Sequence, residues 1–168
     1  IILTATGNTG SAFTIDGVTG LTINGNDYTL GFESSSSSNG RIFYIDNSAE
    51  VTLENLVLQN GFVRSSGTNS DNGGAVFCSY STLTCTSCTF RYNGLFDASG
   101  GAIYSQDSSA VTCSLCTFEF NGATYTYNGG AIGNGGGTVN LVTCIFRSNA
   151  AQFGAALGVH YKGYINNY

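Results

Sequence analysis

The chain of 168 residues contains no proline, methionine or tryptophan, and charged residues make up only 9% of it. Five lysine and arginine residues stand against ten acidic ones, which gives a net charge of −5. Because nucleic-acid binding needs a stripe of basic side chains, we expect no nucleic-acid partner. No apolar run approaches the roughly 20 residues that a transmembrane helix requires, so we also expect no membrane insertion.

The sequence also lacks the apolar spacing that an amphipathic helix requires. No window keeps apolar residues at positions i, i+3 and i+4. The chain has 24 glycines and is rich in Thr, Ser, Asn and Tyr, a composition that disfavours helix. The sequence therefore predicts an all-β protein.

One sequence phrase returns three times: a Gly-Gly-Ala-aliphatic block, a strand-like run, and Phe-x-x-Asn. The clear copies begin at Gly73, Gly100 and Gly129 and close on Asn93, Asn121 and Asn149, which follow one another at intervals of 28 residues. Weaker copies of the first block begin at Gly10, Gly40 and Gly154. A fixed period in this range is typical of one supersecondary unit stacked on its neighbours.

Each repeat contains about three short strands. Runs such as Val111-Thr112-Cys113 alternate apolar and polar residues with the period of a strand, and a third strand follows a corner at Cys116-x-Phe118. We predict one parallel β-helix domain over residues 1–168 with about six turns, best defined over 72–157 and degenerate over 1–60. The core is expected to include one stacked column, which consists of Leu58, Phe90, Phe118 and Phe146.

The paired motifs Gly-Gly-Ala-Ile and Phe-x-x-Asn resemble the repeats of chlamydial polymorphic outer membrane proteins and related right-handed β-helix repeats of other secreted proteins. The resemblance covers residues 73–157 closely and 10–60 loosely. It implies a right-handed parallel β-helix in a passenger or surface protein, often adhesive and without intrinsic catalysis. Two features depart from the pattern: the first two turns lack the Gly-Gly pair, and cysteine replaces aliphatic residues in two core columns.

Six cysteines form the next strongest signal, and three interpretations remain open. The pairs Cys85-x-x-Cys88 and Cys113-x-x-Cys116 have the spacing of zinc knuckles, but the repeat itself explains that spacing. The six thiols are otherwise reduced core residues or disulfides. We favour at least two disulfides that involve Cys85, Cys88, Cys113 and Cys116, and we predict no metal or other cofactor. The candidate cysteines are Cys78, Cys85, Cys88, Cys113, Cys116 and Cys144.

Asparagine side chains recur at the corner that follows each third strand, and we predict that they form a structural ladder. The predicted ladder consists of Asn60, Asn93, Asn121 and Asn149. The single histidine, His160, has no acid or cysteine near it in the sequence and is expected to be a surface residue.

The acidic residues do not indicate an active site. Polysaccharide lyases and hydrolases built on β-helices need clustered carboxylates with a basic partner. Here only Asp16 and Asp46 share a repeat position, whereas Arg91, Glu119 and Arg147 alternate in charge at one outward position, as in a surface ion-pair ladder. We therefore predict a non-catalytic protein, with a polysaccharide lyase or hydrolase as a less favoured alternative.

Two binding functions remain as alternatives. Outward threonines at positions 22, 52, 84 and 112 form a rank that suits ice binding, although the rank is mostly one residue wide. The variable loops between the Asn and Gly-Gly motifs are expected to gather on one side of the solenoid, where aromatic side chains suit glycan or protein contact in an adhesive module. These loop aromatics are Phe96, Tyr125, Tyr127 and Phe153.

The ends of the sequence show no capping pattern, and no Met begins the chain, so we expect either a stack open at both ends or a processed piece of a longer protein. An open stack predicts head-to-tail association through the end residues, which are Ile1, Ile2, Leu3, Leu157 and Val159. We predict an extracellular structural protein of a fibre or cell-surface layer. No Asn-x-Ser/Thr sequon occurs, so any covalent glycan is expected to be O-linked.

Overall fold

The computed structural model of the chain describes residues 10–34, 40–64, 71–122, 127–160 and 162–168, which form short β-strands and no α-helix. The strands are β1 (Ser11–Asp16), β2 (Leu21–Asn24), β3 (Thr29–Gly31), β4 (Arg41–Asp46), β5 (Glu50–Glu54), β6 (Val57–Gln59), β7 (Phe62–Arg64), β8 (Val76–Ser79), β9 (Thr82–Thr86), β10 (Thr89–Arg91), β11 (Gly94–Phe96), β12 (Ile103–Gln106), β13 (Ala110–Ser114), β14 (Thr117–Glu119), β15 (Ile132–Asn134), β16 (Thr138–Val142), β17 (Ile145–Arg147), β18 (Leu157–Val159) and β19 (Tyr164–Asn167).

The strands stack in parallel as a β-solenoid with three main sheets. Sheet 1 contains β1, β4, β8, β12, β15 and β18 in that order, and sheet 2 contains β2, β5, β9, β13, β16 and β19. Sheet 3 contains β3, β6, β10, β14 and β17, and β7 pairs with β11 in a small fourth sheet. The predicted all-β parallel architecture with three strands per turn is therefore confirmed, with about five turns. The sixth copy seen in the sequence contributes strands to sheets 1 and 2 only.

Equivalent residues of successive turns lie opposite one another and form columns along the axis. Val111 pairs in register with Leu83 on one side and Val139 on the other, and all three are fully or almost fully buried. The rings of Phe90, Phe118 and Phe146 stack with centroid distances of 4.8 and 4.9 Å. This spacing is the distance between neighbouring strands, so the core is a set of ladders rather than a central cluster.

The corner between sheets 2 and 3 is made by one residue in the left-handed region. These residues have φ between 49° and 56°, although none of them is glycine, and they are Asn55, Ser87, Leu115 and Thr143. A left-handed residue turns the strand direction sharply, so the residue after it again points into the core.

The two glycines of each Gly-Gly pair meet two different structural requirements. The first glycine of each pair, such as Gly100 with φ of 76°, occupies the left-handed region. The second, such as Gly101, lies against neighbouring backbone, because a Cβ atom there would be 1.9 Å from the carbonyl oxygen of Gly130 and 2.4 Å from the amide nitrogen of Gly122. The pair therefore permits close stacking of adjacent turns where the loops leave the solenoid.

Candidate functional site

Five of the six cysteines form one thiol cluster at the corner between sheets 2 and 3. Cys85 and Cys113 pair in register on β9 and β13. Cys88, Cys116 and Cys144 each precede a strand of sheet 3, and the residues that follow them are also in register. We call this set the thiol cluster: Cys85, Cys88, Cys113, Cys116 and Cys144.

Cys116 lies at the centre of the thiol cluster. Its register neighbours are Cys88 on the previous turn and Cys144 on the next, and Cys113 lies on β13 across the same corner, in register with Cys85. The sheet 3 thiols also donate to backbone carbonyls one turn away: Cys116 Sγ to Cys85 O at 3.5 Å and Cys144 Sγ to Cys113 O at 3.3 Å. The five cysteines therefore follow one path along this corner across three turns of the solenoid.

Exposure differs along this path. The thiols of Cys85, Cys88, Cys113 and Cys116 are buried, whereas Cys144 is half-buried. The hydrogen bond with Cys116 lowers the pKa of Cys144 to about 7. The hydrogen bonds that Cys116 makes, together with its burial, raise its own pKa. Cys144 is therefore both the most accessible thiol and the more readily ionised member of this pair.

Cys78 stands apart from the cluster. Its thiol is buried and donates to the carbonyl oxygen of Ser81 at 3.7 Å, and burial raises its pKa to about 12. All six cysteines are free thiols in this structure. The disulfides expected from the sequence therefore stay a prediction. The strand register shows which cysteines are neighbours on adjacent turns.

The asparagine ladder contains three residues in the structure. Asn93 Nδ2 donates to Asn121 Oδ1 at 3.1 Å, and Asn121 Nδ2 donates to Asn149 Oδ1 at 3.0 Å. The Oδ1 atoms of Asn93, Asn121 and Asn149 also accept a backbone N–H from one turn earlier, which comes from Gly61, Asn93 and Asn121 respectively. The ladder therefore supplies partners to backbone groups that the corner takes out of the sheets.

Asn60 lies one position away from this ladder, which corrects its place in the sequence alignment. Gln59 pairs with Arg91, so Asn60 lies opposite Tyr92, and Gly61 occupies the column of Asn93. Asn60 has φ of 58° and donates from Nδ2 to the carbonyl oxygen of Phe32 at 2.8 Å. Asn commonly adopts the left-handed conformation, which explains its presence at the turning residue instead.

A polar groove of about 560 Å³ lies beside the turning residues that follow sheet 3. Tyr92 lines it, and its ring stacks on Phe120 with centroids 5.2 Å apart, although both rings are about half exposed. Arg91 Nε donates to Gln59 Oε1 at 2.8 Å, and farther along the axis Arg147 pairs with Glu119. An aromatic face beside a guanidinium group suits a sugar ring.

The loop aromatics expected to bind ligands do not form a single site among the described residues. Phe96 is half-buried on β11 and lies under the guanidinium of Arg64, 4.9 Å from the ring centroid. Tyr127 and Phe153 are exposed on adjacent turns, joined by a backbone hydrogen bond from Phe153 N to Tyr127 O at 2.9 Å. Tyr125 lies outside the described residues.

The predicted assembly residues fall partly within the structure. Leu157 is half-buried and Val159 is 48% exposed at the end of sheet 1. Ile1, Ile2 and Leu3 lie outside the described residues. At the other end of the solenoid, Phe13 of β1 is 41% exposed although it belongs to a core column.

Arg41 is a structural residue that the sequence analysis missed. Its guanidinium is buried, stacks 5.1 Å from the ring centroid of Phe77, and donates to the carbonyl oxygens of Asn72 and Gly73 at 2.8 and 3.0 Å. Burial lowers the pKa of Arg41 to about 10. Arg41 occupies the position of Gly74 in the repeat. Arginine at a repeat position that is otherwise glycine is the feature of the sequence from which a special role for Arg41 could have been predicted.

No protein-family model matches the chain, and comparisons with curated proteins and with solved structures also find no match. The structure supports the parallel β-solenoid, whereas the likeness to chlamydial repeats rests on the sequence motifs alone. Among the described residues, no helix is long and apolar enough to cross a membrane. No group of three or more His, Cys, Asp or Glu side chains in that part of the chain is placed to hold a metal ion.

Proposed function

We propose that this protein is a non-catalytic, extracellular structural β-solenoid that associates head to tail into a fibre or a cell-surface layer. The observation that carries the proposal is that the apolar columns of the core continue to both end surfaces of the described solenoid. Such surfaces differ from each other, so contact between them is heterologous and propagates instead of closing.

The first end surface is an apolar depression of about 470 Å³. Its apolar lining consists mainly of Phe13, Ile23, Leu30, Phe43 and Leu56. Phe13 stacks on Phe43 with ring centroids 5.3 Å apart and leaves its other side to solvent. An apolar surface that follows the core columns favours a partner with the same column spacing, which a second copy supplies.

The second end surface carries apolar side chains in the same columns. Leu157 belongs to the sheet 1 column that begins at Phe13, and Ile165 belongs to the sheet 2 column that begins at Leu21. If β18 of one copy pairs with β1 of the next, Leu157 contacts Phe13 and Ile165 contacts Leu21. Continued ladders of this kind satisfy backbone groups and bury apolar area together.

The strand counts define the geometry of this junction. Sheets 1 and 2 have six strands each, so a continuous ladder gives an axial repeat of about 29 Å at roughly 4.8 Å per strand. The described part of sheet 3 has five strands, so this geometry specifies strand pairing for sheets 1 and 2. The proposal therefore joins copies through two of the three faces.

Sedimentation velocity and negative-stain microscopy test the association. Leu157→Lys places a charge on the second end surface and should prevent assembly while the single chain stays folded. Thr112→Lys makes a matched charge change on the side of sheet 2 and should assemble as the unmodified chain does. A monodisperse unmodified monomer at high concentration, or filaments of unchanged length from Leu157→Lys, would contradict the proposal.

A glycan-binding or adhesive module is the second candidate, and the groove at Tyr92 favours it. The ring of Tyr92 has an aromatic neighbour at Phe120 on one side, whereas the equivalent residue on the other side is Asn60. That side opens on the groove, which Arg91 and Gln59 also line. A sugar ring stacked there would meet hydrogen-bond donors at its edge.

Binding of neutral and carboxylated oligosaccharides, measured by calorimetry, tests this candidate. Tyr92→Ala should weaken binding at least ten-fold, whereas Tyr28→Ala, which removes an exposed tyrosine outside the groove, should leave it unchanged. Equal affinities in the two variants would remove the groove from consideration.

A further inference from the structure

We propose that Cys144 is the first thiol of the core to be oxidised and that it forms a disulfide bond with Cys116 across adjacent turns. The cysteine count does not define which cysteines form a disulfide. The structure shows which cysteines are neighbours on adjacent turns and which of their side chains is exposed. This inference does not depend on head-to-tail association, because the junction described above pairs strands of sheets 1 and 2, whereas Cys144 precedes a strand of sheet 3.

Access distinguishes Cys144 from the other thiols. Cys144 immediately precedes β17, and beyond β17 the described residues provide no further strand of sheet 3. The side chains of Cys116 and Cys88, which precede the earlier strands β14 and β10, are each covered by the turn that follows them and are at most 1% exposed. A small oxidant in solution therefore meets Cys144 first.

Hydrogen bonds lower the pKa values of Cys88, Cys113 and Cys144, and of these three thiols only Cys144 is more than 1% exposed. Thiolates, not thiols, attack peroxides, and a lowered pKa increases the thiolate fraction at neutral pH. The contact with Cys116 lowers the pKa of Cys144. Cys78, whose pKa is raised by burial, provides the contrasting case within the same chain.

The backbone geometry allows the bond to form without movement of the strands. Thr117 and Ile145, the residues after Cys116 and Cys144, are register partners on β14 and β17. Adjacent parallel strands place equivalent Cα atoms about 4.8 Å apart, inside the window of roughly 4.4–6.8 Å that disulfides occupy. Both side chains have equivalent positions on their turns, because Cys116 Sγ donates to the carbonyl oxygen of Ser114 at 3.3 Å and Cys144 Sγ donates to that of Val142 at 3.6 Å.

The chemistry has two steps with hydrogen peroxide as the oxidant. The Cys144 thiolate attacks one peroxide oxygen, the O–O bond breaks, and sulfenic acid forms with release of hydroxide, which takes up a proton as water. The Cys116 sulfur then attacks the Cys144 sulfur, the S–O bond breaks, and the oxygen leaves as a second water with the Cys116 proton. Two thiols are oxidised to one disulfide, and one peroxide is reduced to two waters.

The test begins with the fully reduced protein, treated with hydrogen peroxide and followed by intact mass and non-reducing peptide mapping. The unmodified chain should lose two hydrogen atoms, and the map should contain a peptide that joins Cys116 to Cys144. Cys144→Ser should slow the loss at least ten-fold, whereas Cys78→Ser should oxidise at the unmodified rate. Circular dichroism checks that each variant is folded.

A second measurement begins with the unmodified chain. A sulfenic-acid trap such as dimedone, added to the unmodified chain at short times, should label Cys144 ahead of every other cysteine, and Cys116→Ser should increase that label. Six free thiols after peroxide treatment would overturn the inference. A first disulfide that excludes Cys144, or initial labelling of Cys78, would do so as well.

Discussion

Individual residues in this solenoid act through the columns they belong to, because each side chain contacts its equivalents one strand spacing away. Phe118 lies between two parallel rings, with interplanar angles of 3° and 5° to Phe90 and Phe146. Asn121 accepts hydrogen bonds from Asn93 and donates to Asn149. A substitution in the middle of a column therefore affects two neighbouring turns at once.

Phe118→Ala tests the apolar column. Loss of a fully buried ring between two others should lower the free energy of unfolding by about 3–5 kcal/mol. Glu119→Ala, one residue farther along the chain, removes the ion pair with Arg147, whose side chain is 62% exposed, and should cost less than about 1 kcal/mol. Urea denaturation of both variants measures the difference, and equal losses would mean that the inward register is shifted by one residue.

Asn121→Ala tests the asparagine ladder. The change leaves the backbone N–H of Asn93 and the carbonyl of Phe90 without their side-chain partners inside the solenoid, at about 1–3 kcal/mol for each unsatisfied group. Asn60→Ala removes one hydrogen bond outside the ladder and places alanine at a φ of 58°, so it should cost about 1–2 kcal/mol. Thermal or urea unfolding compares the two, and a larger loss for Asn60→Ala would contradict the observed register.

At the scale of strands and corners, apolar alternation was sufficient to predict the register of sheet 2. Val111, Thr112 and Cys113 of β13 lie opposite the residues that the repeat alignment pairs with them. The corners were harder to predict, because Leu115 and Thr143 adopt φ near 50° without being glycine. Tertiary stacking imposes this conformation, and local residue preference gives no signal for it.

Two further features escaped prediction for the same reason. The small sheet of β7 and β11 forms from loop segments that carry no alternating pattern. The guanidinium of Arg41 is buried because loop carbonyls from the next turn surround it. Both depend on contacts between turns, whereas the sequence pattern reports on one turn at a time. The thiol cluster was predictable as a set of columns, but the difference in exposure between Cys116 and Cys144 was not.

Gly101→Ala tests the corner where adjacent turns approach each other most closely. The added Cβ would overlap the backbone of Gly130 and Gly122, so the cost should exceed the roughly 1 kcal/mol of an ordinary glycine substitution. Gly20→Ala provides the control, because its φ of 71° imposes backbone strain with no atom within 4 Å of the new methyl group. Equal unfolding free energies would mean that close packing of the turns is not what the second glycine provides.

At the scale of the whole solenoid, the described residues form a column in which the apolar pattern of the interior continues to both ends. The chain has few charged residues and a net charge of −5, so charge repulsion at an apolar end surface is weak. Phe13 and Leu157 lie at opposite ends of one sheet 1 column. Head-to-tail association would convert these exposed ends into interior, which is why we regard assembly as the central claim.

A mixing experiment with two blocked variants tests this claim most directly. Phe13→Lys closes the first end surface and Leu157→Lys closes the second, so each variant alone should sediment as a monomer. An equimolar mixture retains one intact surface of each kind and should form a discrete dimer, because only one heterologous junction is possible. A mixture that remains monomeric, beside an unmodified chain that also remains monomeric at high concentration, would contradict head-to-tail assembly.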